Sequence, residues 1–296
     1  MSNLDENPTI AVLSPGQPCT AVEILEPRAV PLGGPRAMTV YRTIPQLRRS
    51  LVGAWCFLDH YGPDDVSATG GMVVPRHPHT GLATVSWLFD GQIDHLDSGG
   101  NAARVRPGEL NLMIAGRGIT HQEISVRETR ALRGVQLWYA LPEQTRFTDN
   151  HFEYFAPDPV QVGGVRALVF LGELLGSVSP VRTRTPDLLG AELTLEPAGS
   201  VTLAVRTDFE HAVLAESGRV VVNGTTAQHR ELAYVPPGSD TLRIDAGADA
   251  GAVGGRRAVP DRGRGARHRD DAGARARSAV APGLRLRRQE PGRRPE

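Results

Sequence analysis

Residues Val73–Ile124 read VVPRHPHTGLATVSWLFDGQIDHLDSGGNAARVRPGELNLMIAGRGITHQEI. Short apolar runs alternate here with glycine-rich turns. Thr84–Phe89 (TVSWLF) is a strand, Asp90-Gly91 a hairpin signal and Gln92–Asp97 the return strand. Ser98–Asn101 is a turn, Asn111–Ala115 a strand, Gly116–Gly118 a tight turn and Ile119–Ile124 a further strand. Two residue pairs stand out, His77 with His79 and His121 with Glu123, each spaced by one residue. In a strand, residues i and i+2 point to the same face. Each pair therefore aims one way. If the two strands lie side by side, three imidazoles and one carboxylate converge, and that set is a candidate metal site.

Around this stretch the chain has the composition of a β-protein. Its 296 residues are 40% hydrophobic, with 33 glycines and 23 prolines, enough for one or two domains of short strands joined by tight turns. No apolar run is long enough to cross a membrane as a helix, and MSNLDENPTIAVLSPG lacks the basic and apolar regions of a signal peptide. Cys19 and Cys56 are too few for a disulfide framework. A cytoplasmic protein with no membrane partner fits these features. Nothing specifies an oligomer, so a monomer is the default.

The formal net charge of 0 conceals a split. Residues 1–250 carry 20 arginines against 28 acidic residues, and residues 251–296 carry 13 against 5. The chain contains no lysine.

Residues 1–20 read as a flexible leader. Residues 21–142 form a first barrel and 143–250 a second, with strand signals at Val165–Leu171, Ala191–Leu195, Ser200–Val205, His211–Glu216, Arg219–Val222 and Glu231–Val235. Similar strand spacing in the two halves suggests a duplication. LVGAWCFLDHYGP, residues 51–63, is a buried strand, and Ile44–Ser50 a single helical turn. The second half has His211 and His229 but no His-x-His pair, so no equivalent metal site is expected there. Residues 251–296 consist largely of Arg, Gly, Ala and Pro, with no aromatic residue, and cannot bury much core. They read as a disordered tail or as the product of a frameshift in a GC-rich coding sequence. That explanation is preferred to direct nucleic-acid binding through the tail's arginines.

Three imidazoles and a carboxylate leave two positions of an octahedron open, a small extension of the two-His-one-carboxylate triad of non-haem Fe(II) oxygenases. Open positions are where water, oxygen or a chelating substrate would sit. The same donors also suit Zn, Ni, Cu and Mn. His95 reads as a supporting or surface residue. Asp59 and His60 read either as a pair that orients a ligand imidazole or as a structural pair. Arg117, between two glycines, is a surface arginine or an anion contact, and Glu109 is a turn residue.

PRHPHTGLATVSWLFDGQIDHLDSGGNAARVRPGELNLMIAGRGITHQE resembles the signature of the pirin family of bicupin proteins. FLDHYGP upstream and GVQLWYALP downstream are similar to the family's flanking segments, and the resemblance covers roughly residues 21–250. It implies an all-β fold of two cupin (jelly-roll) barrels packed face to face. It implies a metal, usually Fe(II), in the first barrel only, with ligands falling on His77, His79, His121 and Glu123. Two activities follow from it. One is quercetin 2,3-dioxygenase chemistry on a small aromatic, flavonol-like substrate, with Glu123 as ligand and catalytic base. The other is a non-enzymatic, metal- or redox-dependent regulator that binds a protein partner, a transcription factor or a metabolic enzyme. Where the family ends in an apolar, tryptophan-bearing strand and a helix, this chain has its arginine-rich tail.

Overall fold

A computed structural model of the chain describes residues 21–32, 38–66, 71–248 and 276–282. Three strands come first: β1 (Glu23–Leu25), β2 (Arg28–Leu32) and β3 (Met38–Ile44). The first barrel follows with β4 (Trp55–Asp65), β5 (Val73–His79), β6 (Leu82–Asp90), β7 (Ile93–Asp97), β8 (Ala102–Val105), β9 (Leu110–Ile114), β10 (Ile119–Ser125) and β11 (Ala131–Ala140). β12 (His151–Phe155), β13 (Val160–Val162), β14 (Val165–Leu171), β15 (Glu173–Leu174) and β16 (Ser177–Val178) connect the halves. The second barrel adds β17 (Gly190–Leu195), β18 (Ser200–Ala204), β19 (His211–Ser217), β20 (Val220–Val222), β21 (Thr225–Ala227), β22 (Leu232–Val235), β23 (Thr241–Ala246) and β24 (Ala276–Pro282).

The two halves repeat one topology. The first has a seven-stranded sheet, β12-β9-β6-β11-β4-β3-β2, and a four-stranded sheet, β5-β10-β7-β8. The second has β1-β22-β19-β24-β17-β14-β13 and β18-β23-β20-β21. Strands β4 to β11 thus correspond one by one to β17 to β24. The expected all-β fold of two jelly-roll barrels packed face to face is what the chain adopts.

The larger sheets face each other, and alternation along their strands divides the work. In β6, Ala83, Val85 and Trp87 join a core shared with Phe170, Leu214 and Tyr234 of the second half. Thr84 and Ser86, on the opposite face, point into the first barrel. The same split in β9 sends Leu110, Leu112 and Ile114 to the shared core and leaves Asn111 and Met113 facing inward. This is why these strands read as apolar on both faces: one face meets the other barrel, and the other lines a barrel interior. Trp87 also donates its indole N–H to Glu192 across the junction at 2.9 Å, and its ring stacks on Phe170 at 4.3 Å.

The barrel interiors differ in chemistry. In the first, the inward residues of β5 and β10 are His77, His79, His121 and Glu123. In the second, the buried residues of the matching pair β18 and β23 are Leu203, Leu242, Ile244 and Ala246, which sit in an aliphatic cluster. Hydrocarbon occupies the place of the nitrogen and oxygen donors, so these positions offer no ligand to a metal.

Several sequence expectations shift. Ile44–Ser50 is no helical turn: Gln46 and Arg49 pair through reciprocal backbone hydrogen bonds, closing a tight β-type turn. β12 pairs with β9 and extends the first large sheet to Phe155. β1 crosses over to pair with β22 of the second barrel. The tail also contributes an element. β24 runs between β17 and β19, where β11 lies in the first half, although the composition of 251–296 gave no strand signal. The rest of that tail, the leader and Cys19 lie outside the described residues.

Candidate metal centre

β10 is the hub of the site. It pairs with β5 on one side, placing His121 opposite His77, and with β7 on the other, placing Glu123 opposite His95. A register irregularity in the β5 pairing falls between His121 and Glu123. His121 Nε2 lies 3.1 Å from His79 Nε2 and 3.1 Å from His77 Nε2. Two ligands at right angles about an ion, each about 2.1 Å from it, are separated by about 3 Å. The observed spacing fits a shared ion. Glu123 belongs to an overlapping group with His95 and His121, whose donor atoms lie within 4.8 Å of one another. The structure thus draws the three histidines into one cluster and sets Glu123 beside it through His121.

Protonation favours a cation. Burial, with His121 and His77 nearby, pushes the His79 imidazole down to about 3. Burial likewise lowers His121 to about 4. Both are neutral near pH 7, with lone pairs available. Burial alone would raise the Glu123 carboxyl, but hydrogen bonding to His95 and Ser86 and the charges of His121 and His95 bring it down to about 2. Neutral imidazoles beside an ionised carboxylate are a donor set for a divalent transition metal.

The supporting residues were only partly visible in the sequence. Ser86 donates its hydroxyl to Glu123 Oε1 at 2.8 Å; its signal was one of two hydroxyls, with Thr84, on the inward face of TVSWLF. His95 is 2% exposed, with Nδ1 4.0 Å from Glu123 Oε1 and Nε2 3.3 Å from Asp97 Oδ2. The sequence left His95 as a supporting or a surface residue, and gave no sign of Asp97. Asp97 also accepts hydrogen bonds from the backbone N–H groups of Gly99 and Asn101, so it ties the β7–β8 turn to the site. Burial opposes protonation of His95, but Glu123 and Asp97 outweigh it and raise its pKa. Asn111 is 3% exposed, and neither polar atom of its carboxamide has a partner among the described residues. Trp138 packs edge-on to His79 at 4.9 Å and stacks on Phe57 at 3.9 Å.

Other candidates lie elsewhere. Asp59 forms a two-pronged ion pair with Arg42, and His60 approaches Glu216 of the second barrel, so the pair does not orient a ligand imidazole. Arg117 pairs with exposed Asp149 at 2.8 Å, yet it also lines a cleft of about 500 Å³ that borders His79, Thr80, Ser98 and Thr120. Glu109 stays in its turn beside Arg106.

Comparison with known proteins gives a consistent set. Residues 37–139 match the family described as Pirin. A Pseudomonas aeruginosa protein named "Putative quercetin 2,3-dioxygenase" is 40% identical over 231 residues, covering 77% of this chain and 72% of that protein. A pirin-like protein of Caulobacter vibrioides is 36% identical, covering 69% and 73%. The crystal structure of a quercetin 2,3-dioxygenase from Acinetobacter baumannii superposes with a TM-score of 0.76 at 28% identity, covering 89% of this chain and 79% of that one. A bacterial pirin of Escherichia coli, solved in complex with nickel(II), shares the fold at a TM-score of 0.63 and 15% identity, covering 90% and 100%.

Proposed function

The chain belongs to the pirin family, and from that footing we propose that it holds one divalent metal, Fe(II) first, on His77, His79, His121 and Glu123. We propose further that it is a dioxygenase acting on a small hydroxylated aromatic of the flavonol kind. One observation carries the reading: His79 and His121, held neutral, cluster with His77 inside a barrel, with the ionised Glu123 beside His121, next to a cleft of about 500 Å³. That volume falls in the range of small-molecule sites, about 300–1,000 Å³. The relative named for quercetin 2,3-dioxygenase activity supports the substrate class. Ni, Zn, Cu and Mn suit the same donors, and the affinity order makes supply in the cell decisive.

When bound, the metal would supply a Lewis-acid centre with exchangeable positions. The protein's own groups supply the rest. Glu123 Oε1 accepts the proton of the substrate hydroxyl. Its low pKa keeps it charged, so it is a transient carrier. His95, with Nδ1 4.0 Å from the same oxygen and Asp97 on its far side, orients the carboxylate for that transfer. Ser86 holds the carboxylate in place. The Asn111 carboxamide has hydrogen-bonding capacity for a polar group of the substrate. Trp138 covers His79 and keeps water from that side.

The test is anaerobic Fe(II) loading followed by oxygen uptake with quercetin. The reading expects quercetin-dependent uptake that is lost in Glu123→Gln. Bound metal without uptake would overturn the dioxygenase reading and leave the metal site standing.

A further inference from the structure

The second barrel carries aliphatic residues on β18 and β23 and still holds space. At its mouth lies a cavity of about 600 Å³, walled by the β14–β16 segment, the approach to β17 and the loop before β19. Its walls mix apolar and polar surface, with Leu174, Leu188 and Leu189 buried and the Phe209 ring at one side. Glu173, Ser179, Thr183, Asp187 and Arg206 also line it, and two further polar side chains there are deeply buried. His211 is 3% exposed and Thr185 4%. Neither ring nitrogen of His211 nor the hydroxyl of Thr185 has a hydrogen-bond partner among the described residues; the Arg206 backbone lies near the imidazole without meeting hydrogen-bond geometry. An unsatisfied buried polar group is costly, so two of them bordering one cavity call for a guest that satisfies both.

The charges around the cavity define the guest. Arg206 lines it, but its guanidinium is already held by Asp187 at 3.1 Å and Asp208 at 2.9 Å. It is therefore committed and offers little to an anion. The imidazole and hydroxyl each combine donor and acceptor capacity, which suits a neutral hydroxyl group rather than an ion. Phe209 and His211 have ring centroids 6.3 Å apart, tilted by 35°, and give a flat ring something to pack on. The wall is braced from the first barrel. Tyr139 donates its hydroxyl to the Thr183 carbonyl at 2.9 Å, and the Thr183 hydroxyl donates to the Thr185 carbonyl at 2.6 Å. Leu175 and Asp187, both lining residues, have φ of 51° and 56°, the left-handed region that strains a residue with a side chain.

We propose that this cavity is a second, metal-independent binding site for a neutral hydroxylated aromatic molecule. Its hydroxyl bonds to His211 and Thr185, and its ring lies against Phe209 and the leucines. The site is separate from the histidine cluster of the first barrel and needs none of its residues.

The probe is 2-naphthol, neutral near pH 7 and unable to chelate a metal. It is titrated into the full chain stripped of metal, with naphthalene and 2-naphthoate as comparisons. One equivalent of 2-naphthol should bind, at least tenfold tighter than naphthalene, with 2-naphthoate weaker still. The same binding should survive His79→Ala and weaken at least tenfold in Thr185→Val. No saturable binding, equal binding of naphthalene, tighter binding of 2-naphthoate, or loss of binding in His79→Ala would each overturn the proposal. The naphthalene and naphthoate comparisons use the unmodified protein, so they decide the matter even if a variant fails to fold.

Discussion

At the scale of single residues, the site depends on groups that hold the donors still. Ser86 fixes Glu123 by one hydroxyl hydrogen bond. Losing such a partner commonly weakens metal affinity about 10–100-fold. Ser86→Ala should therefore weaken metal binding by about tenfold or more in calorimetric titration while leaving the circular dichroism spectrum unchanged. Unchanged affinity would remove Ser86 from the account. The metal-free protein should also be acid-labile in a defined window. In the unfolded chain the imidazoles of His79 and His121 protonate near 6.5, and in the folded chain only near 3 and 4. Between these values the unfolded state binds more protons, so stability is present above 6.5 and is lost as pH falls. Glu123, lowered from 4.5 to about 2, extends the loss in the same direction. Thermal melts of metal-free protein from pH 7 to 4 should show a falling Tm, and a flat profile would contradict the burial argument. All four proposed ligands were legible as two i, i+2 pairs, because strand alternation ties spacing to facing. Asn111 and Asp97 were not, because nothing in the sequence distinguishes an inward polar residue from a solvated one before the sheet partners are known.

At the scale of elements, strands bounded by clear turn chemistry could be read directly: β6 and β7 around Asp90-Gly91, and β10 after Gly116–Gly118. β12 and β23 went unnoticed, since HFEYF and TLRIDA lack a glycine turn tight against both ends. β11 shows what close packing demands of one position. A Cβ on Gly134 would meet Leu88 Cδ2 at 2.7 Å, the Trp87 carbonyl at 2.8 Å and the Tyr61 hydroxyl at 2.8 Å. Two of those atoms belong to a buried side chain and a strand backbone with little room to move. Gly134→Ala should cost about 1–3 kcal/mol by overpacking, read as a lower midpoint in urea denaturation. An unchanged midpoint would mean that β6 and β11 can part without penalty.

The whole molecule stands on the junction of its barrels and on the closing strand of the second. Trp87→Phe would keep an aromatic ring against Phe170 but delete the indole bond to Glu192. Hydrogen bonds to charged groups contribute about 1.5–3 kcal/mol, so the variant should unfold at lower denaturant, and an equal midpoint would show that the bond adds nothing. β24 completes the second large sheet from within a tail that by composition promised no element. Removing residues 251–296 would leave β17 and β19 with facing open edges, which invite association between chains. The truncated chain should aggregate or lose its cooperative melt, as followed by size-exclusion chromatography and calorimetry. A monomeric truncation with an unchanged Tm would show that the tail strand carries no stability.

The central claim is that one metal sits on His77, His79, His121 and Glu123. Elemental analysis of protein reconstituted anaerobically with Fe(II) and then desalted tests it most directly, with the double variant His79→Ala, Glu123→Ala treated in parallel. The account predicts close to one iron per chain in the unmodified protein and almost none in the variant, with matching circular dichroism spectra. Folded, unmodified protein that retains no iron, or a variant that retains as much, would contradict it.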